Sequence, residues 1–198
     1  INVVLTGGTL DLADMIHNKD PYADTQNLRP EDIGGGADAD GGKKPRVTVT
    51  AKVDKVWLSQ DGVADNTDIY FVYADEIWRE LRLSTFIKKT IPMNVYMVPA
   101  GQKGLYELTL RSTDAGETLR TLDYIESVEG GNIEVKGVYN DIDYTLDAVM
   151  KISEFRLSNS PIFLKMLSLS GIVDTVKGEG MLFNHSVVPF TLTADRLT

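Results

Sequence analysis

The chain has 198 residues, of which 42% are apolar, enough for one buried core or one elongated domain. Its formal charge of −9 opposes binding to a phosphate backbone, because counterion release needs a basic surface. With no cysteine, it has neither disulfides nor thiolate zinc sites.

Residues 1–5 are a short β-branched run ended by Gly7-Gly8. Thr9 then reads as the cap of a helical turn with Leu12, Ala13, Met15 and Ile16 on one side, and His17 at its end reads as a surface residue. Residues 19–44 include DIGGGADADGGKK and almost no apolar anchor, so they read as a flexible loop. Asp32, Asp38 and Asp40 lack the spacing and the bidentate Glu of an EF-hand, and no metal site is expected there.

From Pro45 onward strand signals recur with turns between them. Val47, Val49, Ala51 and Val53 alternate with polar residues, and Val56 and Leu58 continue on the opposite parity. That change of phase predicts a bulge near Asp54 and Lys55. Apolar runs at 69–74 and 93–98 lie on both parities, and a strand is expected at 77–87 between them. Asp114 with Glu117 three residues on resembles a capping box, and Ala115, Leu119 and Leu122 form the apolar stripe of a helix over 114–126. The most regular alternation follows, with Ile142, Tyr144, Leu146, Ala148, Met150 and Ile152 on one parity.

Ser160-Pro161 is a helix start and Gly171 a stop. Between them Ile162, Phe163, Leu164, Met166, Leu167 and Leu169 make a helix apolar nearly all round, which must be buried or touch something apolar. It is too short to span a bilayer, which takes about 20 apolar residues. Met181, Phe183 and Val187 then alternate with neighbours up to Pro189, which confines that segment to a sheet edge or to the start of another strand.

These small motifs carry a resemblance. Phe155, Arg156, Ser160-Pro161, the Leu167-Ser168-Leu169-Ser170-Gly171 turn and Gly178-Glu179-Gly180 with Phe183 occur in an order that resembles the C-terminal region of the AsmA-like family of Gram-negative envelope proteins. Upstream, Ser112-Thr113-Asp114-Ala115-Gly116 and Gly130-Gly131 fit the same pattern, so the resemblance covers residues 45–198. It implies a long β-sheet groove that carries lipids between inner and outer membranes. It also implies a periplasmic location, and an inner-membrane anchor supplied by a longer parent protein. Residues 1–44 are then an N-terminal strand, helix and Gly/Asp-rich loop, and the rest is the AsmA-like β domain. The chain begins at Ile1 with no charged n-region or apolar h-region, in line with a piece of such a parent.

Catalytic signatures are missing. There is no G-x-S-x-G, H-E-x-x-H or P-loop, and the two histidines, His17 and His185, lie far apart. A Ser-His-carboxylate set around His185 is open in principle, since triads are assembled in space. The expected fold is therefore mainly β: a twisted antiparallel sheet forming a partly closed barrel or groove with two or three short covering helices. No enzymatic activity, cofactor, metal or nucleic-acid partner is expected. The expected partners are phospholipid acyl chains, contacted by Phe71, Met93, Met97, Leu146, Met150, Ile162, Phe163, Met166 and Leu167. The alternative is a structural module binding other envelope proteins through a sheet edge.

Overall fold

The computed structural model describes residues 1–13, 16, 46–75, 77–158, 180–193 and 196–197. Among the described residues eleven strands form one sheet. In chain order they are β1 (Asn2–Thr6), β2 (Thr9–Asp11), β3 (Val47–Trp57), β4 (Val63–Ala74), β5 (Ile77–Ile87), β6 (Ile91–Pro99), β7 (Leu105–Ser112), β8 (Val128–Asn140), β9 (Thr145–Leu157), β10 (Met181–Thr193) and β11 (Arg196–Leu197). One helix, α1 (Ala115–Thr121), is complete among the described residues and joins β7 to β8.

From β3 to β11 each strand pairs antiparallel with the next, a meander in which short turns suffice. β1 and β2 run parallel to β3 in one common register, Asn2 opposite Thr48 and Thr9 opposite Lys55. They are in effect one edge strand interrupted at Gly7-Gly8, both at positive φ, where the Asp54 carboxylate accepts from the Gly8 N–H at 3.0 Å. Thr9 is therefore in a strand and not a helix cap: Leu10 pairs with Val56 and packs on the core, and a helical contact first appears at Ile16 N–H to Leu12 C=O.

The sheet stays open. β1 and β11 stand at opposite ends of the strand order and do not pair among the described residues, so the expected barrel closure does not occur. Of the two or three covering helices expected, α1 is present, and the one expected over 160–171 lies outside the described residues. The predicted phase change in β3 is real: Val53 and Val56 are both buried, while Asp54 and Lys55 are exposed. It needs no extra residue between β3 and β4, where Val53 faces Thr67 and Lys55 faces Asp65. The register break sits one strand further on, between Asp65 and Asp68 against β5, with Asn66 at φ 52. β9 changes phase in the same way at Glu154 (φ 56), so Ile152 and Phe155 are both buried. The long alternating strand starts later than expected. Residues 141–144 are a turn in which the Asn140 carboxamide accepts from the Ile142 N–H and donates to Asp143, and Ile142 is 69% exposed.

Among the described residues two clusters make the core. One joins α1 to β8, β9 and β10 through Ala115, Leu119, Ile133, Met150 and Phe155; the other joins β3, β4, β5 and β6 through Val56, Ala64, Ile87 and Met93. Leu110 packs against both, and Leu119 and Leu122 carry the helix into each. α1 is only seven residues long, too short to be stable on its own propensity, so its placement rests on contacts. Asp114 caps it by accepting from the Glu117 N–H at 3.0 Å. The Glu117 side chain does not complete the capping box; it turns to Lys88 at 2.6 Å and Arg120 at 2.5 Å. Burial raises the Glu117 pKa, but the hydrogen bonds and charges of Lys88 and Arg120 outweigh it and hold the carboxyl below its ordinary value. At its C-terminal end the helix abuts the β3–β4 turn: the Ser59 hydroxyl donates to the Thr121 carbonyl at 2.9 Å, and both residues are buried.

Gly62 makes that approach possible, since a Cβ there would lie 1.9 Å from the Thr121 carbonyl oxygen. Gly62→Ala is expected to lower stability by about 3 kcal/mol, the upper range for an overpacked site. Gly8→Ala, in open space at φ +88, is expected to cost about 1 kcal/mol. Urea denaturation of both variants tests the order, and equal losses would mean that the helix is not wedged against Gly62.

Candidate functional site: the inner face of the sheet

Residues directly opposite one another on neighbouring strands share a face, so the register can be read as rows crossing the sheet. One row runs Val3, Val49, Phe71, Leu81, Met97, Leu108, Gly137, Ala148, Phe190. The next runs Leu5, Ala51, Ile69, Leu83, Val95, Leu110, Val135, Met150, Val188. Both rows cross nine strands without a polar side chain. At about 4.8 Å between strands, the stripe is roughly 38 Å long.

A third row closes one side of the stripe and is mixed: Val53, Thr67, Thr85, Met93, Ser112, Ile133, Ile152 and Ser186. Its three buried hydroxyls, those of Thr67, Thr85 and Ser112, are satisfied internally. Thr67 and Thr85 share a 2.7 Å hydrogen bond, and Ser112 accepts from the Asp114 N–H at 3.5 Å. Beyond this row lies α1. The opposite side is aromatic. Phe71 and Tyr73 meet the Trp78 ring edge-on at 5.2 and 5.5 Å, and Tyr106, 2% exposed, follows Leu108 on the same face. Burial and the neighbouring Asp141 carboxylate push the Tyr106 phenol up to about 12.

Between these borders the floor is half-buried over β4 to β7, while Val49, Ala51, Val135, Ala148 and Met150 to either side are buried. Phe71, Leu81, Met97 and Leu108 keep part of their surface exposed, as do Ile69, Leu83, Val95 and Leu110. The floor drops at Gly137 and Ala148, where a Cβ on Gly137 would come within 2.5 Å of the Ala148 Cβ. The other face of the sheet is largely polar and cross-linked. Arg111 and Lys136 bind Glu134, Lys52 lies 3.5 Å from Asp68, and Arg82 lies over the Tyr70 and Tyr96 rings. The hydrogen bonds from Arg111 and Lys136 hold the Glu134 carboxyl below its ordinary range. A shallow depression of about 460 Å³ is lined mainly by residues of that polar side, Lys136, Asp147, Val149, Pro189 and Thr191, together with Ala148 and Phe190.

Phe71, Met93, Met97, Leu146 and Met150, expected from the sequence as lipid contacts, all project from the inner face. Ile162, Phe163, Met166 and Leu167 lie outside the described residues. Sequence reasoning missed Leu81, Leu83, Leu108 and Leu110. Each looks like an ordinary strand residue, and only the register places it beside Met97 or Val95. His185 is exposed on β10 opposite Ser153, and His17 is outside the described residues. Among the described residues no three His, Asp or Glu side chains converge as a metal site would require. Neither a family model, a characterised protein nor a solved structure matches the chain.

Tyr106 yields a pH test. Its folded value, about 12, exceeds its ordinary value of 10, so the fold favours the neutral phenol. That contribution is complete below pH 10 and disappears as pH rises from 10 to 12. Tyr106→Phe is expected to flatten the fall in stability across this interval, read by urea midpoints at stepped pH. An unchanged slope would place the phenol in water.

Proposed function

We infer that the inner face holds lipid acyl chains, and that the chain is a non-catalytic, lipid-carrying segment of an AsmA-like envelope protein. On this reading it works in the periplasm in phospholipid transport between the inner and outer membranes and in outer-membrane homeostasis. Membrane anchoring comes from parts of the parent outside this chain.

The observation that carries the reading is the stripe of two apolar rows, half-buried where it crosses β4 to β7. An acyl chain needs no specific polar partner, only continuous apolar contact, and each buried CH₂ is worth about 0.8 kcal/mol. Half-buried Met97 suits a ligand whose chains differ in length and kinks, because the thioether side chain repacks at little cost, whereas Met93 and Met150 are buried in the core beneath. The polar outer face and the hydrogen-bonded hydroxyls of Thr67, Thr85 and Ser112 give such a chain no competing surface. The ordered motifs from Phe155 to Phe183 support the family assignment independently of the face.

Trp78 borders the stripe, in contact with Phe71 and Tyr73. In a Trp57→Phe background, phospholipid with brominated acyl chains is expected to quench the remaining tryptophan, and native mass spectrometry is expected to show lipid adducts on the 21.9 kDa chain. Met97→Asp and Leu83→Asp should each weaken binding by more than about tenfold, since an unpaired carboxylate against acyl chains costs well over about 1.4 kcal/mol. A folded protein that carries no lipid and shows no quenching would sink the reading.

A further inference from the structure

The two long borders of the stripe differ in how their charges are used. On the α1 side they close on one another: Glu117 binds both Lys88 and Arg120, and the Thr67 and Thr85 hydroxyls share a hydrogen bond. On the aromatic side Tyr73 faces Trp78, and Tyr106 stands between Pro99 and Tyr139. Tyr73 and Tyr106 lie two residues along their strands from Phe71 and Leu108 of the first apolar row, a step of about 7 Å.

The turns beyond this border bring in two charges. The Asp141 N–H donates to the Gly104 carbonyl at 2.9 Å, which ties the β8–β9 turn to the β6–β7 turn. A Cβ on Gly104 would lie 2.8 Å from Asp141 Oδ1, so the carboxylate sits against the Gly104 backbone. The Tyr106 phenol neighbours both Asp141 and Tyr73. Lys103 precedes the same glycine and is exposed, whereas Asp141 is half-buried. Among the described residues neither charge enters an ion pair, with the other or with a third group. Their neighbours are already engaged: Arg79 is held by Asp75, and Asp143 accepts from the Asn140 carboxamide. A half-buried carboxylate without a cation, beside aromatic rings, attracts an ammonium through its charge and through the ring faces. An uncommitted lysine attracts a phosphate.

We propose that this border selects the headgroup of the lipid whose acyl chain lies on the stripe. The headgroup is zwitterionic, with its ammonium at Asp141 beside the half-buried Tyr73 and Trp78 rings and its phosphate at Lys103. The proposal rests on the acyl-chain reading and adds which lipids the stripe takes. An acyl chain over Phe71 and Leu108 leaves its glycerol at this border, so the headgroup that follows meets the two turns. A phospholipid without the amine leaves Asp141 uncompensated and brings a net negative charge to a chain that already carries −9.

Trp78 supplies the readout. In the Trp57→Phe background, phosphatidylethanolamine, phosphatidylcholine and phosphatidylglycerol with the same brominated acyl chains are each titrated against tryptophan fluorescence. The two amine lipids are expected to bind about tenfold tighter than phosphatidylglycerol, the scale of one charge-assisted hydrogen bond. Asp141→Asn is expected to abolish that preference. Asp143→Asn changes the net charge equally two residues away and is expected to keep it, which separates a local contact from repulsion by the whole chain. Lys103→Gln is expected to weaken all three lipids alike, because each carries the phosphate. Equal binding of the three lipids by the unsubstituted border overturns the headgroup proposal and leaves the acyl-chain reading standing, as does a preference that survives Asp141→Asn. Quenching by none of the lipids overturns both. The comparison of lipids on the unsubstituted border needs no variant, so it decides even where Asp141→Asn disturbs the turn.

Discussion

Strand register is the constraint on which everything else rests. A strand alternates its side chains, so a slip of one residue in any pairing would send that strand's apolar set to the polar side. Here the two apolar rows stay aligned over nine strands, from Val3 and Leu5 to Phe190 and Val188. Alignment survives because the irregularities are shared. Where β3 changes phase at Asp54, β4 changes with it at Asn66, and Gly7-Gly8 break the edge strand beside them. Where β9 changes at Glu154, β8 offers Gly130-Gly131 alongside. Gly131 is required there for a second reason, since a Cβ would sit 2.7 Å from that of Phe155. Positive φ at Asn66 and Glu154 is a local strain that neighbouring pairing holds in place.

Past those corners the same strands feed the core instead of the stripe. Val56, Ala64 and Ile87, each 1% exposed or less, lie beyond the Asp54 corner. Phe155, stacked on Phe183 at 5.2 Å, lies beyond the Glu154 corner. α1 sits between these two groups and contacts both, so a seven-residue helix unites two clusters of one wide sheet. Gly116 and Gly62 allow the backbone contact at its two ends, because a Cβ on either would overlap a carbonyl oxygen, of Val128 or Thr121. The division of labour follows: stability comes from the α1 side of the inner face, and the half-buried floor is left with less cover.

Most strands were legible from period-2 alternation and from turn residues, and the 77–87 strand was placed to the residue. The failures have physical causes. Thr9 is a good cap by type, but β3 offered Leu10 a ladder and a core contact that local preference cannot foresee. Tyr144 and Ile142 fit the alternation of β9, yet Asn140 closes a turn over them through its side chain and Tyr144 takes φ 53. The helix from Asp114 ends at Thr121, earlier than the apolar stripe suggested, because the Tyr124 N–H already reaches back five residues to the Leu119 carbonyl. Of the inner-face residues, Phe71, Met93 and Met97 stood in runs apolar on both parities, and Leu146 and Met150 in the one-parity alternation of β9. The leucines of β5 and β7 were not, because membership of a row is a property of pairing and not of any one strand.

The half-buried floor has an energetic consequence. At about 25 cal/mol per Å², every large side chain left partly in water withholds on the order of 1 kcal/mol that full burial would give. A stripe of such residues is a poor way to stabilise an isolated sheet, and the α1 side shows that this sequence can bury its apolar groups when cover is supplied. A ligand that binds the folded chain and not the unfolded one returns the withheld energy as stability, in proportion to the logarithm of its concentration over its Kd. Lipid binding and fold stability would then be one linked quantity, with side-chain flexibility at Met97 setting how many chain shapes can exploit it. Conversely, substitutions on the polar face, such as at Glu134 or Lys52, would leave that linkage untouched, because none of their partners reaches the rows.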